Sequence, residues 1–300
     1  MADSSQALKP MVKPANRPAR GRPDLSTLAG IAVALGGILG GLILEKGQIQ
    51  DIVQMTAALI VLGGTLGAVL VTTPLAVVLR GIKGLGGIFL ERGSSADATI
   101  DALIGYATKA RKNGIVSIEK EAAAIEDPFM RKALNLAVDG TDLQELRKMM
   151  DTDISLSEQS AEADARVWEA AGGYAPTIGI IGAVLGLIQV MKHLEDIKEV
   201  GHGIAVAFVA TVYGVGSANI LFLPAANKMR AHIRQGTILK EMILEGVVGI
   251  VEGLNPSLIR MKLEAFNPNP RKPKNEGGAK LLPGAKPAAV KAPPAAVAGG

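Results

Sequence analysis

The chain has 300 residues, a net charge of +4 and a mean hydropathy of +0.30, with 48% hydrophobic and only 20% charged residues. A soluble domain of this size carries more charge and a lower hydropathy. The absence of cysteine excludes disulfides and cysteine metal sites, and three scattered histidines argue against a histidine cluster. The small net charge and 3% aromatic residues argue against nucleic-acid binding. We therefore predict no metal site and no nucleic-acid partner.

Four apolar stretches follow a polar, basic N-terminal tail at residues 1–24. No small-residue cleavage site follows the first stretch, so we do not expect a signal peptide. Each stretch approaches or exceeds the ~20 residues that cross a bilayer. None contains Asp, Glu, Lys or Arg; they cover residues 26–44, 52–79, 171–191 and 203–226. We predict an all-α integral membrane protein with four transmembrane helices in two pairs, residues 25–79 and 171–226.

The distribution of charge predicts the orientation of the four helices. The two short loops within the pairs are slightly acidic, whereas the N-terminal tail, the flanks of the long loop and the segment after Ala226 hold nearly all the Lys and Arg. By the positive-inside tendency, both termini and the long loop are cytoplasmic.

The long segment between the pairs, residues 80–170, is predicted to be a cytoplasmic helical domain. Its polar last part, residues 151–170, is compatible with a helix that continues into the third span. Three further helices are predicted from capping signals: one capped by Ser94 or Ser95 and ended by Asn113–Gly114, one from Asp127–Pro128 to Gly140, and one started by Thr141 with Gln144.

Two different regions are predicted after the fourth span. Residues 227–266 are predicted to form a cytoplasmic C-terminal helix. Residues 267–300 are rich in Pro, Ala, Gly and Lys without a hydrophobic period, which predicts a disordered tail.

Small residues four apart recur in the spans, as at Gly36/Gly40 and Gly182/Gly186, and permit close helix packing. We expect them to serve packing within the chain in the first span, and to leave a smooth surface for another helix in the third and fourth. The spans also lack an ionisable side chain at mid-depth, which a proton pathway needs. Either the protein moves no ions, or a partner helix supplies the titrating group.

Six segments in order resemble the MotA/PomA stator subunits of the bacterial flagellar motor, within the MotA/TolQ/ExbB group. The resemblance covers residues 24–269 and is carried by 61–67 (VLGGTLG), 110–121, 127–140 (DPFMRKALNLAVDG), 174–187 (YAPTIGIIGAVLGL), 205–214 (AVAFVATVYG) and 219–228 (NILFLPAANK).

The resemblance implies an inner-membrane complex in which five such subunits surround two copies of a single-span partner, MotB or PomB. It also implies that the chain has no enzymatic activity and needs no cofactor. The partner's transmembrane Asp binds the ion. The family's two functional prolines match Pro176 and Pro224, and its threonine in the fourth span matches Thr211. The charges held to engage the rotor protein FliG match Arg111, Lys112 and Glu119.

Two departures from the family's sodium-driven members bear on the coupling ion. Those members carry a threonine where this sequence has Ala183 and an acidic residue where it has Gln54. Fewer oxygen ligands make Na⁺ binding harder, because hard cations need several oxygens. We therefore predict proton coupling, with a channel lined by Pro176, Ala183, Thr211 and Pro224.

Several alternatives stay open from the sequence. The first is a sodium-driven stator of the PomA type. The second is an ExbB/TolQ-like energiser, which resembles this chain in the last two spans but has three spans. A self-contained transporter and a passive membrane scaffold are further classes. The sequence does not decide whether the motor serves swimming or another motility.

Overall fold

The structure is a computed structural model that describes residues 22–88, 90–91 and 96–267. The described chain is helical apart from a two-residue antiparallel pair, β1 (Arg22–Pro23) with β2 (Leu90–Glu91). Most of the predicted N-terminal tail, the predicted Ser94 or Ser95 cap and all of the predicted disordered tail except Asn267 lie outside the described residues.

Four helices are long and apolar enough to cross a membrane: Leu25–Leu44, Ile49–Thr72, Leu143–Lys192 and Ile197–Val251. The first is α1 (Leu25–Leu44), which begins where the Asp24 carboxylate accepts hydrogen bonds from the backbone N–H groups of Ser26 and Thr27. These bonds satisfy donors that have no partner within the first turn of a helix. The predicted membrane fold with four spans is confirmed.

The second span ends earlier than the predicted Leu79. It comprises a short 3₁₀ turn (Ile49–Ile52), α2 (Met55–Ala58), a π-helical segment (Leu59–Gly63) and α3 (Gly64–Thr72). Thr73 then adopts an extended conformation, because the ring of Pro74 disfavours a helical conformation in the residue before it. The chain restarts as a separate helix, α4 (Leu75–Ile88).

The third span belongs to a single 50-residue helix, α8 (Leu143–Lys192), so the predicted continuation from residues 151–170 is present. Its N-cap is Asp142, whose carboxylate accepts from the N–H groups of Gln144 and Glu145. The predicted cap at Thr141 is therefore wrong by one residue, because the carboxylate of Asp142 occupies that role.

The fourth span also continues into the part of the chain that is predicted to be cytoplasmic. It is built from α9 (Ile197–Gly216), a π-helical segment (Ser217–Phe222) and α10 (Leu223–Val251) without interruption. The predicted single helix over 227–266 is instead the end of α10 followed by α11 (Pro256–Glu264). Gly253 separates the two, with φ of +69° that favours glycine.

The cytoplasmic helices share one hydrophobic core. Its members are α5 (Ala96–Asn113), a 3₁₀ turn (Ile115–Ile118), α6 (Glu119–Ala123), α7 (Pro128–Val138), the first part of α8, the end of α10, and α11. As predicted, Asp127 caps α7 and Pro128 occupies its first turn. Fully buried side chains from α5, α8 and α10, such as Leu103, Leu146 and Val247, meet in this core. The predicted cytoplasmic loop and C-terminal helix are thus one folded body.

Small residues serve the opposite purposes from those predicted. In α1 no residue is buried, and no described neighbouring atom lies within 4 Å of a Cβ placed on Gly36 or Gly40. In α8 and α9, Gly182, Gly186 and Gly214 are buried against each other's helix. The third and fourth spans use their small residues for packing within the chain, whereas the first span leaves its small residues uncovered.

Candidate functional site

The helices α8 and α9 approach so closely that their backbones are in contact. A Cβ on Gly214 would lie 2.5 Å from the carbonyl oxygen of Ala175, and one on Gly186 would lie 2.8 Å from that of Gly203. Glycine, which has no side chain, permits the two backbones to approach this closely over several turns. The two helices therefore form a tightly joined pair that carries Ala183 and Thr211 on its outer faces.

The packing fixes the relative depths of those residues. Gly182 contacts Ala210, so their chain neighbours Ala183 and Thr211 lie at the same level of the pair. Both side chains are partly exposed, beside exposed apolar residues such as Ile180 and Phe208. The outer surface of the pair at this level is thus apolar with a single hydroxyl group.

The hydroxyl group of Thr211 donates a 3.2 Å hydrogen bond to the carbonyl oxygen of Ala207 in its own helix. This is the local bond that threonine commonly makes inside helices. The oxygen retains acceptor capacity, since a hydroxyl has two lone pairs. Thr211 can therefore accept a hydrogen bond from a partner without losing its own.

The two prolines weaken the helix pair at one level. Pro176 is half-buried inside an unbroken α8, and exposed Pro224 follows the π-helical segment Ser217–Phe222 in the fourth span. A proline cannot donate to the carbonyl four residues earlier, which here belongs to Gly172 and Ile220. Because Gly172 packs against Leu223, the two positions with a missing backbone hydrogen bond are neighbours.

The predicted rotor-facing residues lie on the surface of the cytoplasmic body. Arg111 and Lys112 end α5, Glu119 begins α6, and all three are exposed. Between them the chain turns at Gly114, whose φ of +82° favours glycine. Nearby, Lys109 pairs with Glu121 at 2.7 Å, so these two charges are engaged within the chain while the three predicted residues point outward.

Two polar contacts at the membrane helices had no counterpart in the predictions. The first is Asp24, only 8% exposed, which pairs with Lys228 of α10. The pair with Lys228, assisted by the hydroxyl and N–H groups of Ser26 and Thr27, holds the pKa of Asp24 well below its usual range.

The second contact joins α8 and α10 beyond the ends of the apolar spans. Arg230 of α10 pairs with Glu169 and Glu162 of α8. The hydrogen bond from Arg230 lowers the pKa of Glu169, and the same bond raises the pKa of Arg230. An acid and a base 61 positions apart carry no local sequence signal of pairing. In the described ranges, no group of three or more His, Asp or Glu could hold a metal ion.

Comparison with known proteins identifies the family of the chain. Residues 121–242 match the model of the MotA/TolQ/ExbB proton channel family, and residues 28–114 match the motility protein A N-terminal model. Motility protein A of Helicobacter pylori is 35% identical over 240 residues, which cover 80% of this chain and 93% of that protein.

Two solved stator structures are similar to this chain in fold. The structure of C. jejuni MotAB has a TM-score of 0.79 and 32% identity, covering 84% of this chain and 99% of the other. The flagellar MotAB stator complex from Bacillus subtilis has a TM-score of 0.75 and 31% identity, covering 81% and 96%. Two family models, a close sequence relative and two structures of the same fold agree, and the chain belongs to the MotA/TolQ/ExbB proton channel family, among its motility protein A members.

Proposed function

We propose that this chain, a flagellar-motor stator subunit by family and fold, conducts protons with a MotB-like single-span partner and converts their flow into rotation. The observation that carries the proposal is the outer face of the α8–α9 pair. It is apolar, offers Thr211 at mid-depth, and has no Asp, Glu, Lys, Arg or His from Ala171 to Met191 or from Gly203 to Ala226. Such a face can accommodate a titrating carboxyl group but cannot replace it.

The partner supplies that carboxyl group. A charged carboxylate next to an apolar helix face bears a large desolvation penalty, which protonation removes. Protonation therefore changes how well the partner helix fits against Ala183 and Thr211, and shifts a conformational equilibrium by several kcal/mol. Release of the proton to the cytoplasm restores the first state.

The third and fourth spans bend at the level of Pro176 and Pro224, where backbone hydrogen bonding is interrupted. Pro176 and Pro224 each lack the backbone N–H that would donate to the preceding turn of the helix. Bending at this level moves the cytoplasmic body, because α8 and α10 run into its core. Five subunits around the partner step in turn, and the exposed Arg111, Lys112 and Glu119 push the rotor protein FliG. Both termini are in the cytoplasm and the complex lies in the inner membrane.

The motility of a deletion strain tests this proposal. The strain is complemented with this gene and its MotB-like partner, and Na⁺ and the proton gradient are varied separately. We expect rotation to stop on addition of a protonophore and to ignore Na⁺. Rotation that depends on Na⁺ would assign the chain to the sodium-driven type, the second candidate. It would overturn the inference of proton coupling from Ala183 and Gln54. Normal rotation in both Thr211→Val and Pro176→Ala variants would remove support for the mechanism.

A further inference from the structure

The helix α4 has an uncovered apolar stripe. Leu75, Leu79 and Ile82 are 61%, 50% and 47% exposed, and they recur at the spacing that places side chains on one face of a helix. The adjoining face is packed, with Val78 only 3% exposed in a cluster with Val167. A stripe of this kind needs a cover in the native environment.

The contacts of α4 show that it runs across the other helices at one depth. Gly81 lies against Val167 of α8 and its carbonyl oxygen accepts a 2.9 Å hydrogen bond from the indole of Trp168. Three residues later, Gly84 lies against Met229 of α10. Trp168 and Met229 each lie three residues to the cytoplasmic side of the apolar spans that they adjoin.

The far end of α4 reaches the beginning of the first span. Leu85 lines one cavity of about 310 Å³ together with Ser26 and Thr27, the second and third residues of α1. The strand pair β1 and β2 then joins the segment before α1 to the segment after α4. The helix therefore extends from the end of the second span to the start of the first, at the level where the apolar parts of the third and fourth spans adjoin the polar part of the chain.

The charges of α4 fit a negatively charged layer. The helix contains Arg80 and Lys83 and no acidic residue. Arg80 pairs with Asp164 at 3.0 Å. Lys83 is exposed, and it makes no ion pair with any carboxylate in the described part of the chain. On a helical projection Lys83 borders the apolar stripe, the arrangement of helices that lie in a membrane interface.

We propose that α4 is an interfacial helix whose Leu75, Leu79 and Ile82 side chains enter the cytoplasmic leaflet while Lys83 binds anionic lipid headgroups. The occupant of the stripe is the lipid bilayer, since the stripe begins three residues after the span that ends at Thr72, whose apolar side chains Leu66 and Val71 are likewise exposed. Basic residues at this depth attract anionic headgroups.

The absence of native cysteine permits a direct test with the full chain and its partner in lipid nanodiscs. Single cysteines replace Leu79 or Ile82, and a bimane label reports quenching by brominated lipid or by aqueous iodide. Leu66→Cys, in the second span, is the membrane control. Val116→Cys is the matched aqueous control, because Val116 is an apolar side chain 65% exposed on the cytoplasmic body.

We expect labels at positions 79 and 82 to follow the Leu66 control and to be quenched by brominated lipid. Quenching by iodide, as at position 116, would overturn the proposal. Protection from both quenchers would also overturn it, because a protein surface would then cover the stripe.

The lipid charge is tested at low mole fractions of brominated lipid. We expect brominated phosphatidylglycerol to quench the label at position 82 up to about fivefold more effectively than brominated phosphatidylcholine, the factor for one basic residue at a membrane surface. The variant Lys83→Gln should bring the ratio close to one, whereas Lys148→Gln, at an exposed lysine of the cytoplasmic body, should leave it unchanged. Equal quenching by both lipids in the unsubstituted protein would overturn the assignment of anionic lipid.

Discussion

The hydroxyl group of Tyr213 donates a 2.6 Å hydrogen bond to the carbonyl oxygen of Ile52, 161 positions away in the sequence. The hydroxyl oxygen of Tyr213 also accepts a 3.3 Å hydrogen bond from the backbone N–H of Gln54. Gln54 is the N-cap residue of α2 and has no side-chain cap of its own. Tyr213 of the fourth span thus satisfies the backbone at the point where the second span begins.

Replacing this tyrosine should loosen the contact between the second and fourth spans. In Tyr213→Phe the ring remains but both hydrogen bonds are lost, and we expect a destabilisation of about 1–2 kcal/mol, because partly buried backbone groups lose their partner. The melting temperature of the purified complex measures the effect. Tyr174→Phe is the matched control, since the hydroxyl of Tyr174 has no hydrogen-bond partner among the described residues. Equal melting of the two variants would show that the bonds of Tyr213 contribute nothing.

A methyl group at Gly214 should separate α8 from α9. The added Cβ would lie 2.5 Å from the carbonyl oxygen of Ala175, and we expect Gly214→Ala to destabilise the protein by about 1–3 kcal/mol, the range for overpacked sites. Gly216→Ala in the same helix is the control, because nothing described lies within 4 Å of its Cβ. Thermal melting in detergent compares the two. A Gly214→Ala protein as stable as Gly216→Ala would contradict the close approach of the backbones.

Removal of the Thr211 hydroxyl should affect function more than folding. Valine has nearly the same shape, and the lost bond to Ala207 is a local one that adds little to stability. We expect the Thr211→Val protein to enter the membrane and bind its partner normally, but its strain should swim poorly. A strain with Thr211→Ser should swim well. Swimming speed and the amount of complex in the membrane are the two measurements. A Thr211→Val strain that swims like the unsubstituted one would exclude a role of the hydroxyl in conduction.

Reversal of the charge at Arg111 should reduce torque without unfolding the cytoplasmic body. Arg111 is exposed at the end of α5 and forms no ion pair with any carboxylate of the described ranges. We expect Arg111→Glu to abolish or strongly reduce rotation. Its free energy of unfolding should stay within about 0.5 kcal/mol of the parent's, as for most surface substitutions. The control Lys148→Glu reverses an exposed charge on α8, and a motor that contains this variant should rotate normally. Equal effects of both variants would assign the loss to net charge.

The Asp24–Lys228 pair should make stability depend on pH in the acid range. The folded pKa of Asp24 lies below its unfolded value of about 3.9, so the unfolded state binds more protons and the pair's contribution is complete above pH ~4 and lost below it. We expect the melting temperature to fall more steeply between pH ~5 and pH ~3 in the parent than in Asp24→Asn. Lys228→Gln should flatten the curve in the same way. Parallel curves for all three proteins would contradict the coupling.

Composition and local pattern were sufficient for the membrane architecture. The four uncharged apolar runs predicted four spans, and the Asp127–Pro128 signal placed the start of α7 because cap and first turn are local features. The break at Pro74 also had a local signal, but the uninterrupted apolar run to Leu79 obscured it. Hydropathy reports which residues avoid water and does not report where the backbone turns.

The contacts that organise the site could not be predicted, because they join distant parts of the sequence. The bond from Tyr213 to Ile52, the pair of Asp24 with Lys228, and the meeting of α10 with α5 depend on tertiary packing. The use of glycine was misjudged for a similar reason. A row of small residues indicates that a close neighbour exists, and only the fold determines whether that neighbour belongs to the same chain.

The unbroken α8 has a mechanical consequence. At 1.5 Å per residue it is about 75 Å long, and the part from Pro176 to Leu143 is about 50 Å. If the helix tilts by about 5° at the level of the prolines, its far end sweeps about 4 Å, which approaches the ~5.4 Å of one helical turn. The helix acts as a lever arm, so an ångström-scale adjustment beside Thr211 becomes a displacement large enough to shift one protein surface past another.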